Sequence, residues 1–395
     1  MASTDGLKTR IQPSDALTDR VTDYCGFECA ATGLPWEELH HLDDDRNNTR
    51  AGNLVPVTQA INRELFIARN SADRGERPLL PNELAPRQLW LRSQMLFWQW
   101  KLGPAYSSAR LGYFVSKNLL KEVAEQALPL ACQALYITRY RLDYELMLDV
   151  LDQDILRTLR TEKLSEKTRA LLIREVAGLF AEHGLSGNAA EVYERLGARE
   201  RRCFDAREQA GLLRREATAA GAVHGNYRRS AELLDEALGL AGGEANLAAS
   251  VLNSKAWLAL AAARPADAME LLEPVIAEYR KMIFPRGARR SAAGPRPVAV
   301  TAWNAAELFH NYAIAVSHCR PRDFRRRRAR ALADARAIYS QTGAKPYEIL
   351  PEFSSWVVDD ELAAAQAAAP EVFSCGRIPA RVLDTIAQVL DFLRR

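Results

Sequence analysis

Two kinds of hydrophobic patterning divide the chain at roughly residues 70–86. Before that stretch, apolar residues come in short runs broken by Gly, Pro and Asn; after it, they recur three and four residues apart over lengths that suit helices. Residues 38–42 predict one strand and residues 53–57 a second, whose Pro56 suits an edge position. Residues 43–52, between them, are rich in Asp, Asn and Gly and predict a long loop. Thr58 then offers an N-cap, and Ile61, Leu65 and Ala68 follow at helical spacing. The predicted order is strand, loop, strand, helix. The polar stretch from Arg69, with Pro78, Pro81 and Pro86, predicts a linker, because each proline biases the preceding residue away from helix.

Helical periodicity dominates the remainder. Residues 89–102 carry Trp90, Met95, Phe97, Trp98 and Trp100, a density that packing between helices explains better than base stacking. Amphipathic stretches follow at about 117–137, with Pro129 as a kink or end, and at 141–161. From residue 169 a helix–turn–helix pattern repeats at 177–193, 217–238, 256–279 and 305–339. The second helices, marked by Ala190, Ala231 and Ala268, start 41 and 37 residues apart, in the range of helix-pair repeats where small residues permit close contact. This half resembles tetratricopeptide-like repeats. The resemblance implies a helix-pair solenoid whose concave surface binds a protein partner or supports self-association.

A length of 395 residues exceeds one ordinary core and predicts two or three domains. The formal charge of +3 is nearly balanced, so affinity for nucleic acid has to come from local clusters. No run of about 18 apolar residues occurs and the N-terminus lacks a secretory pattern, so a cytoplasmic protein with no membrane association is expected. Six cysteines spread through so long a chain predict reduced thiols.

The chemistry concentrates in the first segment. His40 and His41 end the first predicted strand, Asn53 opens the second, and Asn62 lies one turn into the helix. That order resembles the HNH nuclease family, with its ββα-metal core, in an H-N-N variant covering about residues 24–66. The resemblance implies that His41 is the general base activating water, that His40 and Asn62 hold one divalent cation, Mg2+ or Mn2+, and that Asn53 braces the loop orienting His41. The chemistry is consistent: phosphodiester hydrolysis needs a base with a near-neutral pKa and a Lewis acid on the developing charge. A rival reading takes Cys25, Cys29, His40 and His41 as zinc ligands. Neighbouring strand residues point to opposite faces, which disfavours a shared tetrahedral ion.

Residues 320–330 hold seven arginines, including Arg325, Arg326, Arg327 and Arg328, with Arg286, Arg289 and Arg290 upstream. A phosphate-facing patch and a solvated helix face both fit this run. The expected fold is therefore mainly α: an HNH-like domain at 1–72, a linker at 73–86, a helical connecting region at 87–168 and a tetratricopeptide-like repeat domain at 169–395. The expected function is metal-dependent cleavage of nucleic acid, DNA favoured over RNA, by an HNH endonuclease recruited or regulated through the repeats. Such a pairing is similar to bacterial effectors of antiviral defence. The alternatives are an HNH-like interaction scaffold without catalysis and a zinc-stabilised helical adaptor.

Overall fold

In a computed structural model, β1 (Glu38–His41) and β2 (Leu54–Val57) form an antiparallel hairpin, with Leu39 opposite Pro56, His40 opposite Val55 and His41 opposite Leu54. The structure describes residues 18–19, 21–22, 25–43, 48, 50–99, 101–141, 143–182, 186–194, 196–224, 226–242, 244–284, 302–342 and 379–394. Both strands of a two-stranded sheet are edges, so Pro56 costs no ladder bond that a central strand would need. Its carbonyl accepts from Ala30 N at 2.9 Å. α1 (Gln59–Asp73) follows, capped by Thr58, whose hydroxyl accepts from Ile61 N, and it buries Ile61, Leu65 and Ala68. Strand, loop, strand and helix thus follow in the order the patterning predicts.

Helices cover this small motif. α2 (Pro86–Trp98), α3 (Leu102–Phe114), α4 (Ala124–Arg141), α5 (Tyr144–Asp149) and α6 (Arg157–Thr161) are joined by two π-helical segments, Val115–Leu119 and Val150–Leu156. One core cluster unites Val55, Val57, Leu65, Leu84, Leu89 and Phe114. Gly112 lets α3 lie against α2 and α4: a Cβ there would stand 2.7 Å from Leu130 Cδ2 and 3.2 Å from Leu89 Cβ. A C-terminal helix, Ala380–Arg394, packs on α5, α6 and the second π segment, burying Val382, Ile386, Val389 and Leu393.

The chain divides into two compact units, one drawn from Met1–Phe97, Lys101–Leu164 and Ala380–Arg395, the other from Trp98–Trp100 and Ser165–Pro379. The boundary expected at 73–86 does not separate units: Leu84, inside it, is fully buried among residues of the hairpin, α1 and α3. Two strands of four residues cannot bury enough surface alone, so the helices expected as a connecting region complete their core. The Ala380–Arg394 helix, expected in the repeat domain, belongs to the hairpin's unit.

The second unit consists of helix pairs: α7 (Glu166–Glu182) with α8 (Ser186–Glu194), the short α9 (Ala198–Arg201), α10 (Ala206–His224) with α11 (Tyr227–Ala241), α12 (Ala245–Ala261) with α13 (Pro265–Ile283), and α14 (Ala302–Cys319) with α15 (Phe324–Thr342). Asn226 caps α11 by accepting from Arg229 N at 3.2 Å, and Pro265 starts α13 at a position that needs no N–H. Buried small residues of the second helices include Ala189, Ser230, Ala237 and Ala268; Ala190 and Ala231, which mark these helices in the sequence, are half-buried. Gly221 gives α10 its close approach, since a Cβ there would stand 2.7 Å from Leu258 Cδ1 and 3.1 Å from Ser230 Oγ. The architecture is mainly helical with one two-stranded sheet among the described residues. Trp100, Gly184, Gly225, Arg286, Arg289, Arg290 and Cys375 lie outside the described residues.

Candidate active site

The hairpin and α1 bring three polar side chains together. Period-two alternation sets Glu38 and His40 on one face of β1, and both reach Asn62 in α1. His40 Nδ1 lies 3.0 Å from Asn62 Oδ1, and Asn62 Nδ2 donates to Glu38 Oε2. The His40 ring meets Phe114 edge to face at 5.2 Å between centroids, and its Nε2 is buried without a hydrogen bond. Burial, only partly offset by the Asn62 bond, lowers the His40 pKa to about 4, so the imidazole is neutral at pH 7.

Glu38 is the residue that the sequence reading missed. Its position two residues before His40 was the available signal, because i and i+2 share a strand face.

Asn53 acts on the loop. Its Oδ1 accepts from Asp43 N at 3.0 Å, and its Nδ2 donates to Asp43 Oδ1 at 2.7 Å and to the Asn48 carbonyl at 2.9 Å. The Asn53 carbonyl accepts from Leu42 N at 2.9 Å, so one buried asparagine fastens both ends of the loop after His41. Asp43 is thereby held, whereas Asp44 and Asp45 lie outside the described residues. His41 is half-buried at the last position of β1, and alternation turns it to the face opposite His40. The structure thus joins His40 with Asn62, and sets His41 beside the loop that Asn53 holds.

The donor set suits a hard divalent cation: a carboxylate, an amide oxygen and a neutral imidazole nitrogen. Asn62 Oδ1 accepts from His40 Nδ1, which leaves Nε2, buried beside Phe114, as the imidazole nitrogen with a lone pair for a metal. Among the described residues no three His, Cys, Asp or Glu side chains gather as a metal group, so Cys25, Cys29, His40 and His41 do not converge as a zinc site.

Arg325, Arg326, Arg327 and Arg328 lie in the second unit, at the start of α15. Arg327 bonds Asp323 and Glu273, both at 2.8 Å, Arg326 bonds Asp323 at 3.2 Å, and Arg325 stacks over Phe324. The run is partly neutralised by its own neighbours. Among the described residues no helix is long and apolar enough to cross a membrane.

No family model and no curated protein matches the chain. Solved structures similar to it include two of a Podosopora anserina protein assigned as a kinesin light chain with nearly identical TPR-like repeats. A single-residue variant of that protein is 18% identical, spans 55% of this chain and 96% of its own, and has a TM-score of 0.38. The second structure is 19% identical, spans 54% of this chain and 96% of its own, with the same TM-score of 0.38.

Proposed function

We propose that the chain is a metal-dependent nuclease of the HNH type, with its site on the hairpin and α1 and its helix pairs serving as a platform for a protein partner or for self-association. The observation that carries this reading is the meeting of His40 and Asn62 at 3.0 Å across a strand–loop–strand–helix frame. They are the two side chains that the family resemblance assigns to the metal, and they are 22 positions apart in sequence. Glu38 adds the negative charge that a two-ligand set of neutral groups lacks.

In this reading His40, Asn62 and Glu38 hold one Mg2+ or Mn2+. When bound, the ion supplies Lewis-acid stabilisation of charge on the phosphate oxygens. In this reading His41 takes the proton from the attacking water as general base. Asn53, bonded to Asp43 and to the Asn48 carbonyl, braces the chain that follows His41. DNA is the proposed substrate ahead of RNA, and restriction of invading nucleic acid in the cytoplasm is the proposed setting.

The reading is tested with supercoiled plasmid and with a structured RNA, each incubated with Mg2+ or Mn2+, alone and with proteins that co-purify. His41→Ala should lower cleavage by at least about 100-fold, the usual contribution of a general base. Equal nicking by His41→Ala and the parent chain would remove His41 from the mechanism. A second reading, an HNH-like scaffold without catalysis, is favoured by the burial of His40 Nε2 against Phe114. It is supported if both forms bind nucleic acid and neither cleaves it under any of these conditions.

A further inference from the structure

A cavity of about 310 Å3 opens on the loop side of the hairpin, within the first unit. One wall is the loop that Asn53 fastens, including Asn48, Arg50 and Gly52; the others come from α3, the two π segments and α6. Three observations separate it from ordinary surface.

The first is the backbone around it. Both π segments contribute to its lining, through Lys117 and Asn118 in one and Gln153 and Asp154 in the other. In the first, Leu120 N donates to the Val115 carbonyl at 2.9 Å, five residues back. Two residues past the segment, Lys121 is a non-glycine residue in the left-handed region with φ of 54°. Wide turns and left-handed β-carbon residues cost stability and persist where surrounding structure over-determines them.

The second is an incompletely paired group in the wall. Arg110 Nε and Asp154 Oδ2, on side chains only 4% and 6% exposed, lie 3.3 Å apart, yet neither atom completes a hydrogen bond. The ion pair carries buried charge in the wall without full hydrogen bonding, an arrangement that costs stability.

The third is charge. Five cationic side chains line the cavity against three carboxylates. Lys117 is occupied by Glu162, and Arg50 has only a loose pair with Asp149 at 3.8 Å. Lys121 and Arg157 are exposed at the cavity and make no ion pair among the described residues.

We propose that this cavity binds the phosphate group of a nucleotide, with Lys121 and Arg157 as its principal contacts and Arg50 facing it from the loop. Phosphate fits better than a lone carboxylate because its oxygens accept from several donors at once. Guanidinium groups, an ammonium and the amides of Asn48 and Asn118 are all in the lining. The volume admits a nucleotide rather than a bare ion. Two sources share this chemistry. A polynucleotide lying across His41 would carry its next phosphate toward Arg50 and Asn53; a free nucleotide in the same place would act on the Asn53-held loop. Phosphate binding stands on the cavity alone, and only the polynucleotide source rests on the nuclease reading.

The test is fluorescence anisotropy of the full chain in EDTA, with two probes: a short labelled single-stranded DNA, and labelled ATP. Competition by unlabelled AMP and inorganic phosphate accompanies each. Lys121→Ala/Arg157→Ala should weaken the bound probe at least about tenfold and lower the salt slope of log Kd by about one to two. Arg228→Ala/Lys281→Ala, which removes the same charge from exposed helices of the second unit, should leave affinity unchanged. The probe that binds identifies the source. No binding of either probe, equal affinity of the Lys121/Arg157 variant and the parent, or equal weakening by both double variants would overturn the proposal. Binding that survives while plasmid is never cleaved would leave this site standing and remove the nuclease reading.

Discussion

His310 and His40 show what burial does to an imidazole in the two units. Each has Nε2 covered without a hydrogen bond, and each has its pKa lowered to about 4, chiefly by desolvation. Both are therefore neutral when folded and prefer protonation when unfolded, near the ordinary value of 6.5. The sign follows: their contribution is fully present above about pH 6.5 and is lost as pH falls from there toward 4. At pH 5 each should cost on the order of 2 kcal/mol relative to pH 7. Thermal melting of the full chain across this range should show the loss, and His310→Leu should flatten the part belonging to the second unit. Identical pH slopes for parent and variant would remove His310 from the account. At this scale the sequence disclosed the residue types of the site but not their company. His40, His41, Asn53 and Asn62 stand out by spacing, whereas Glu38 joins them only because α1 lays Asn62 over that face of β1.

Elements obeyed local rules wherever the rule was local. Thr58 caps α1 and the three apolar residues at helical spacing are the three it buries, because capping and amphipathicity are set within a few residues. In the second helices Ala189 and Ser230 are fully buried while the adjacent Ala190 and Ala231 are half-buried, since the azimuth of a helix depends on the neighbour it meets. The π segments were not legible at all. A five-residue backbone bond such as that of Leu120 to Val115 is selected by what the surrounding helices accommodate. Close helix approach gives a prediction at this scale. Gly112→Leu would drive a side chain into Leu130 and Leu89, and overpacking of this kind costs about 1–3 kcal/mol. Chemical denaturation should show it as a lower midpoint, and an unchanged midpoint would mean that α3 does not depend on the gap.

For the whole molecule the decisive fact is connectivity. The helix-pair unit, Ser165–Pro379, is inserted between Leu164 and Ala380 of the unit that carries the hairpin, so both ends of the insertion are fastened to the same body. The C-terminal helix closes that unit by burying Val382, Ile386 and Val389. Ile386, fully covered, should lose about 2–5 kcal/mol of stability on replacement by Ala, and the loss should appear in the melting of the hairpin's unit. Melting that is unaffected by Ile386→Ala would make the helix a mere appendage.

By itself the sequence determined the hairpin–helix order, the helical character of the remainder and the four residues around which a site could form. Hydrogen-bonding chemistry and hydrophobic period are properties of short windows. Tertiary structure decided the rest: that the hairpin shares its core with helices up to Phe114, that Glu38 meets Asn62, and that the last helix belongs with the first strands. It also decided that Lys121 and Arg157, unremarkable in sequence, line one cavity beside the Asn53-held loop. These are pairings of residues far apart along the chain. They depend on which surfaces find each other when apolar area is withdrawn from water, and no short window contains that information.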